Sequence, residues 1–248
     1  MTALSPRRSF SGTALKTIAC ITMLVDHIGA SCIEAGILVP GLDAGTLSRD
    51  TLSAYPLYRL DMVLRFTGRL AFPLFCFLLV EGFVHTHNVK SYLGRLVLFG
   101  LLSEVPFDLA FARTPFDPSA QNVYWTLALG VLAMAGLKRF EKENGLPGWQ
   151  GLVWAGGCAA LALAAGTDYH AIGVLIICAL YLTRADRKRQ CLAGALLFSF
   201  ELTAPLAFVL VWFYNGQRGA CSPLQKKAFY WFYPVHLLVL AGITNLLL

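Results

Sequence analysis

Long apolar runs separated by short polar segments recur along the whole chain, a pattern that predicts membrane-spanning helices. The runs place spans at about 14–39, 62–84, 91–112, 122–138, 150–166, 169–183, 190–213 and 228–248. The sixth is short against the ~20 residues that a helix needs to cross an average bilayer. The seventh is ambiguous. It is long enough to cross once, yet Glu201, Thr203 and Pro205 interrupt its middle, and a proline inside a helix removes a hydrogen bond. One span fits, and so does a short helical hairpin whose broken backbone is buried in protein. The expected fold class is all-α, a polytopic transmembrane bundle of eight or nine helical segments in a single domain over residues 1–248.

Polar residues inside these runs are the exceptions that carry information. Asp26, His27, Glu104 and Asp108 all fall at depth, where a charge costs roughly 3 kcal/mol or more, so such residues face a bundle interior and do chemistry or transport. On a rise of about 1.5 Å per residue, Asp26 and His27 lie roughly 18–20 Å into the first span and Glu104 about 20 Å into the third. Arg65 and Arg69 share one helix face, as do Glu104 and Asp108, each pair being four residues apart. The second and third spans run antiparallel, so an arginine–carboxylate network between them is expected. Asp26 and His27 point about 100° apart and do not orient one another, and Asp26 is expected to pair with an arginine. His236, about 12 Å into the last span and behind the aromatic cluster 229–233, lies near mid-depth too. His27 and His236 could thus meet in one cavity. A buried neutral imidazole suits a general base; the plainer role for each is a single interhelical hydrogen bond. The Ile28–Gly29 step beside His27 allows close helix approach.

Composition agrees with a membrane domain. Hydrophobic residues make up 57% and charged residues 14% of the 248, where an ordinary soluble domain carries about a quarter charged. The formal charge of +6 sits mostly in short segments beside apolar runs, as the positive-inside rule expects, and no basic stripe with interleaved aromatics suggests nucleic acid. With the N-terminus cytoplasmic, 12 of the 20 basic residues fall on cytoplasmic segments; a hairpin at 190–213 adds Arg218, Lys226 and Lys227 and raises that to 15. Charge therefore favours the hairpin, and the protein is expected in the inner (cytoplasmic) membrane. Arg7, Arg8 and Lys16 precede the first apolar run, but no clean small-residue cleavage site follows, so that run reads as an uncleaved helix. The seven cysteines include no C-x-x-C pair and imply no disulfide framework.

Other candidates carry less. His85 and His87 lack further ligands at convincing spacing, and no metal is expected. Asp168–Tyr169 reads as a structural turn. The segment 214–219 has turn chemistry and a fixed cation, Arg218, that could hold a phosphate. Serine-hydrolase, zincin, nucleotidase and dinucleotide-binding signatures are missing from the sequence.

Seven short segments then occur in an order that resembles the TraX family: 15–29, 68–75 with 80–83, Arg95–Leu96, 103–108, Asp168–Tyr169 with Gly173, 214–219, and Tyr233–Pro234–Val235–His236–Leu237. The resemblance spans nearly the whole chain and is nearer the chromosomal type than the plasmid pilin-modifying members. It implies an integral membrane acyltransferase, with acetyl-CoA as donor and an amine, a hydroxyl or a peptide N-terminus as acceptor. His27 is then the expected base and Asp26, Arg69 and Glu104 the supporting ion network. His236 is a second polar contact, and Arg69 or a second histidine stabilises the oxyanion. The phosphates of the donor need cations near the inner face. Arg184, Arg187, Lys188 and Arg218 are the expected set, with Lys138 and Arg139 nearby. A small-molecule transporter and a non-catalytic assembly protein are the readings from other classes.

Overall fold

The computed structural model describes residues 9–143 and 145–247. Among these residues the fold is all-helical, with nine helices. Helix α1 (Gly12–Asp43) opens under the Ser11 hydroxyl, which accepts from the Ala14 amide at 3.2 Å. Beyond His27 it is wound as a π-helix from Ile28 to Leu38 before a last α-turn. Helix α2 (Pro56–His85) starts on a proline, which needs no partner for a missing N–H, and breaks at Arg69–Leu70. Helices α3 (Val89–Phe111) and α4 (Val123–Arg139) are capped by the Asn88 and Asn122 side chains. Helices α5 (Trp149–Ala164) and α6 (His170–Leu182) follow. The ambiguous seventh run is a hairpin: α7 (Arg187–Leu197) rises, the chain turns, and a 3₁₀ turn (Ala204–Leu206) leads down α8 (Ala207–Trp212). At 11 and 6 residues, neither arm reaches the ~20 needed to cross. Helix α9 (Pro223–Leu247) closes the bundle with Pro234 inside it.

Only α1, α2 and α9 are both long and apolar enough to cross a membrane, among the described residues. These three also carry Asp26 and His27, Arg65 and Arg69, and His236. Close approach of α1 and α2 depends on Gly68, where a Cβ would fall 2.1 Å from that of Asp26. The hairpin closes in the same way at Gly194, whose Cβ would meet the Phe208 ring. Helix α3 packs on α9 and α4, and α4 on α5 and α6. The main core gathers Phe77, Met134, Ile177, Leu180 and Phe198 between α2, α4, α6 and the hairpin.

The start of α1 is stitched to the α8–α9 connection: Asn215 donates to the Phe10 carbonyl, and the Thr13 amide to that of Arg218, at 2.9 and 2.8 Å. Lys16, Arg95, Arg218 and Lys226 thus belong to one end of the bundle, here called the basic end. Arg7 and Arg8, counted above among its charges, lie outside the described residues.

Candidate functional site

A cavity of about 700 Å³ runs from the basic end into the middle of the bundle. Its inner end is lined by Asp26, His27, Arg65, Arg69, Asp168 and Tyr169, and its mouth by Lys16, Arg95, Arg218 and Lys226. Apolar and aromatic side chains, among them Phe75, Leu79, Leu96, Tyr124 and Leu127, line the stretch between.

The two histidines do meet. His27 Nδ1 lies 2.7 Å from His236 Nε2, and His236 Nδ1 lies 2.6 Å from the Phe232 carbonyl oxygen. A carbonyl only accepts, so His236 Nδ1 carries the hydrogen. Its Nε2 is then the acceptor, and His27 donates to it from Nδ1. That chain of bonds leaves the lone pair of neutral His27 on Nε2, in a residue that lines the cavity. His27 is held further by edge contacts with Phe111 and Tyr233, at ring-centroid distances of 5.2 and 5.9 Å.

The ion network is built differently from the one the helix faces suggest. Arg65 pairs with Asp26 at 2.6 Å and reaches Glu34 at 3.8 Å, both on α1. Arg69, at the break of α2, pairs with Glu201 at the tip of the hairpin at 3.2 Å. The Tyr169 hydroxyl also donates to Glu201, at 3.4 Å. Asp26 has the arginine partner expected of it. Glu104 and Asp108 do not join: Glu104 accepts from the Asn122 amide and from Trp125 Nε1, and Asp108 accepts from the Asp117 backbone amide at 2.9 Å. Glu104 therefore fastens α3 to the start of α4 and lies outside the cavity wall. The physical reason is packing. The arginine face of α2 lies against α1, while α3 faces α9 and α4.

At the mouth the structure brings together only one of the expected cations. Arg218 lines it, but Arg184, Arg187 and Lys188 do not. Arg184 pairs with Glu141 at 3.2 Å and lies over the Tyr181 ring, and Arg187 pairs with Glu81 at 3.5 Å over Phe77. The Lys188 backbone amide serves the Asp186 cap of α7. In their place are Lys16, which lies over the Phe229 and Tyr230 rings, Arg95 and Lys226. Among the described residues, none of these three nor Arg218 has a carboxylate partner. Arg95 Nε is buried without any hydrogen-bond partner. Glu81 lines the same region, but its charge is taken by Arg187. The mouth is left with a surplus of positive charge.

A signal for part of this was present in the sequence. Lys16, Cys20, Met23, His27 and Ala30 follow helical spacing on one face, and all five line the cavity. Asp168–Tyr169, read as a turn, also contributes to the inner end: Tyr169 stacks on Phe72 with centroids 3.6 Å apart and turns its hydroxyl to Glu201.

The profile of the family described as TraX protein matches residues 11–244. The chain is 32% identical over 264 residues to a "Probable fimbrial assembly protein FimC, serogroup H1" of Dichelobacter nodosus, an alignment covering 96% of this chain and 98% of that protein. No solved structure matches.

Proposed function

The chain belongs to the TraX family, and we propose that it is an integral membrane acyltransferase that moves an acetyl group from acetyl-CoA to an amine or hydroxyl acceptor. One observation carries the reading: a single cavity joins unpaired cations at its mouth to a histidine nitrogen with a free lone pair at its inner end. The cations suit the phosphates of the donor, and the apolar stretch suits its pantetheine arm. The thioester then comes to lie beside His27. Acetyl-CoA is made in the cytoplasm, so the basic end faces that compartment, as the positive-inside rule also asks of an inner-membrane protein.

The step balances without a cofactor. The acceptor N–H or O–H gives its proton to His27 Nε2 as its heteroatom attacks the thioester carbonyl. The C–S bond then breaks, and the CoA thiolate takes the proton back from the imidazolium. His236 positions His27: by accepting from Nδ1 it fixes the tautomer that leaves Nε2 basic. It cannot also donate to an oxyanion, because its only hydrogen is engaged by Phe232. Arg69 lines the inner end and is the remaining candidate for that task. The similar protein named for fimbrial assembly makes an exported protein subunit a candidate acceptor.

Melting of detergent-purified protein with acetyl-CoA, CoA and ATP tests the reading. At about 100 times its dissociation constant, a ligand specific for the folded state adds roughly 2.7 kcal/mol. A saturable rise with acetyl-CoA and none with ATP supports it. No rise at millimolar acetyl-CoA removes the donor. A transporter is the second reading, favoured by the broken α2 and by the hairpin tip whose Glu201 pairs with Arg69 at the inner end. Counterflow in proteoliposomes without any acyl donor would establish it.

A further inference from the structure

One aromatic side chain lines this cavity and a second pocket as well. Beside the ion pairs of the inner end, the lining also includes Met23, Ala30, Phe107, Phe111, Phe232 and Tyr233. Phe111 is the last residue of α3, and its ring meets the His27 ring edge-on, centroids 5.2 Å apart and planes at 80°. It also packs on Phe107, at 5.0 Å. It also borders a second, open pocket of about 430 Å³ lined by Ala35, Val39, Ala112 and Arg113, of which Val39 and Arg113 are exposed. Among the described residues, Phe111 is the one that borders both.

Resting on the acyl-transfer reading, we propose that Phe111 is the end wall of the acyl pocket and restricts the donor to short acyl groups. A thioester carbonyl placed for attack beside His27 Nε2 carries its acyl tail into this apolar corner. A methyl group fits there. A longer chain meets the Phe111 ring, and a close-packed interior does not yield to extra methylenes without displacing a side chain. Removal of the ring would let such a chain run on toward the second pocket, which Phe111 also borders.

Binding of acetyl-, butanoyl- and octanoyl-CoA, followed by melting-temperature titration, tests this without an acceptor. The natural protein is expected to bind octanoyl-CoA at least tenfold more weakly than acetyl-CoA. Phe111→Ala should bring the two within about threefold by joining the cavities. Adding Val39→Trp, which places a ring in the second pocket, should restore the discrimination; a merely structural loss would not be reversed in this way. Phe111→Leu serves if the alanine variant does not fold, and should give an intermediate ratio. Equal affinities in the natural protein overturn the proposal, as does an unchanged ratio in the Phe111 variants, and either result leaves acyl-CoA binding itself intact. If none of the three esters gives a saturable shift, the acyl-transfer reading falls and this proposal with it.

Discussion

The two ends of the cavity handle charge in opposite ways. At the inner end each arginine is tied to a carboxylate: Arg65 to Asp26, Arg69 to Glu201. At the mouth, Lys16, Arg95, Arg218 and Lys226 have no such partner among the described residues. Paired charges at depth hold helices in register, since a buried pair contributes little net stability but removal of one member is costly. Here they join α1 to α2, and α2 to the hairpin tip. Unpaired cations are tolerable near the membrane surface and remain available to a polyanion. The contrast separates a fixed inner end, where geometry is set, from a mouth whose charge the proposed donor would complete.

The sharpest way to break this comparison is at His27. His27→Asn keeps a polar side chain but removes the basic nitrogen, and should lower acyl transfer by about 10²–10⁴-fold. Acetyl-CoA should still raise the melting temperature, because the mouth is untouched. Retention of full activity would end the assignment of His27 as base. His236→Phe should cost less, about ten- to a hundredfold, since it releases the tautomer of His27 and leaves the base in place. Its activity should also shift with pH relative to the natural protein, a change that lost packing alone does not produce.

Next comes stability at the inner end. Arg65→Ala leaves the largely buried Asp26 without its nearest partner and should destabilise by about 1–3 kcal/mol, read as a fall in melting temperature. The double change Asp26→Leu with Arg65→Leu should recover most of that loss. If the double variant is as unstable as the single one, the pair does more than neutralise itself.

The sequence made the helices legible because apolar runs recur along it, although among the described residues only α1, α2 and α9 are long and apolar enough to cross a membrane. The hairpin was legible because Pro205 and the basic residues that follow argued against a full crossing. The pairing of Arg65 and Arg69 was not. Spacing of four residues says that two side chains share a face, but not which neighbouring helix that face meets. Sequence proximity of the second and third spans pointed to Glu104, whereas packing through Gly68 turned the arginines to α1 and to a hairpin tip more than 130 residues away, as Arg69–Glu201 shows. The cations that line the cavity were illegible for a related reason. Charge density marks the end of the bundle at which basic residues collect, while cavity lining depends on the face each helix presents. Arg184, Arg187 and Lys188 stand in the densest run and do not line this cavity; Lys16 stands alone and shares the face of His27.

At the mouth the effects should be smaller and sensitive to salt. Arg95→Ala, Arg218→Ala and Lys226→Ala should each weaken acetyl-CoA binding by about fivefold, roughly 1 kcal/mol, with kcat at saturating donor unchanged. Added salt should narrow the difference from the natural protein, because partly exposed charges are screened within about 10 Å at 0.1 M. A variant that lowers kcat as well would place its cation beside the reacting atoms, contrary to the division between the two ends.

The smallest expected effect is the most discriminating for the mouth. Arg184→Ala removes a cation from the same end of the bundle, and with it a half-exposed pair with Glu141. Such pairs contribute about 0–1 kcal/mol, so the melting temperature should hardly move. Donor affinity should not move either, since Arg184 lies outside the cavity wall. If general positive potential at this end gathered the donor, every cation there would count alike, and Arg184→Ala would weaken binding as much as Arg218→Ala. Equal losses in the two variants would therefore dissolve the mouth as a site and leave only a charged membrane surface. A loss confined to the cavity-lining residues would show that contact with those side chains, and not the net charge, selects the ligand.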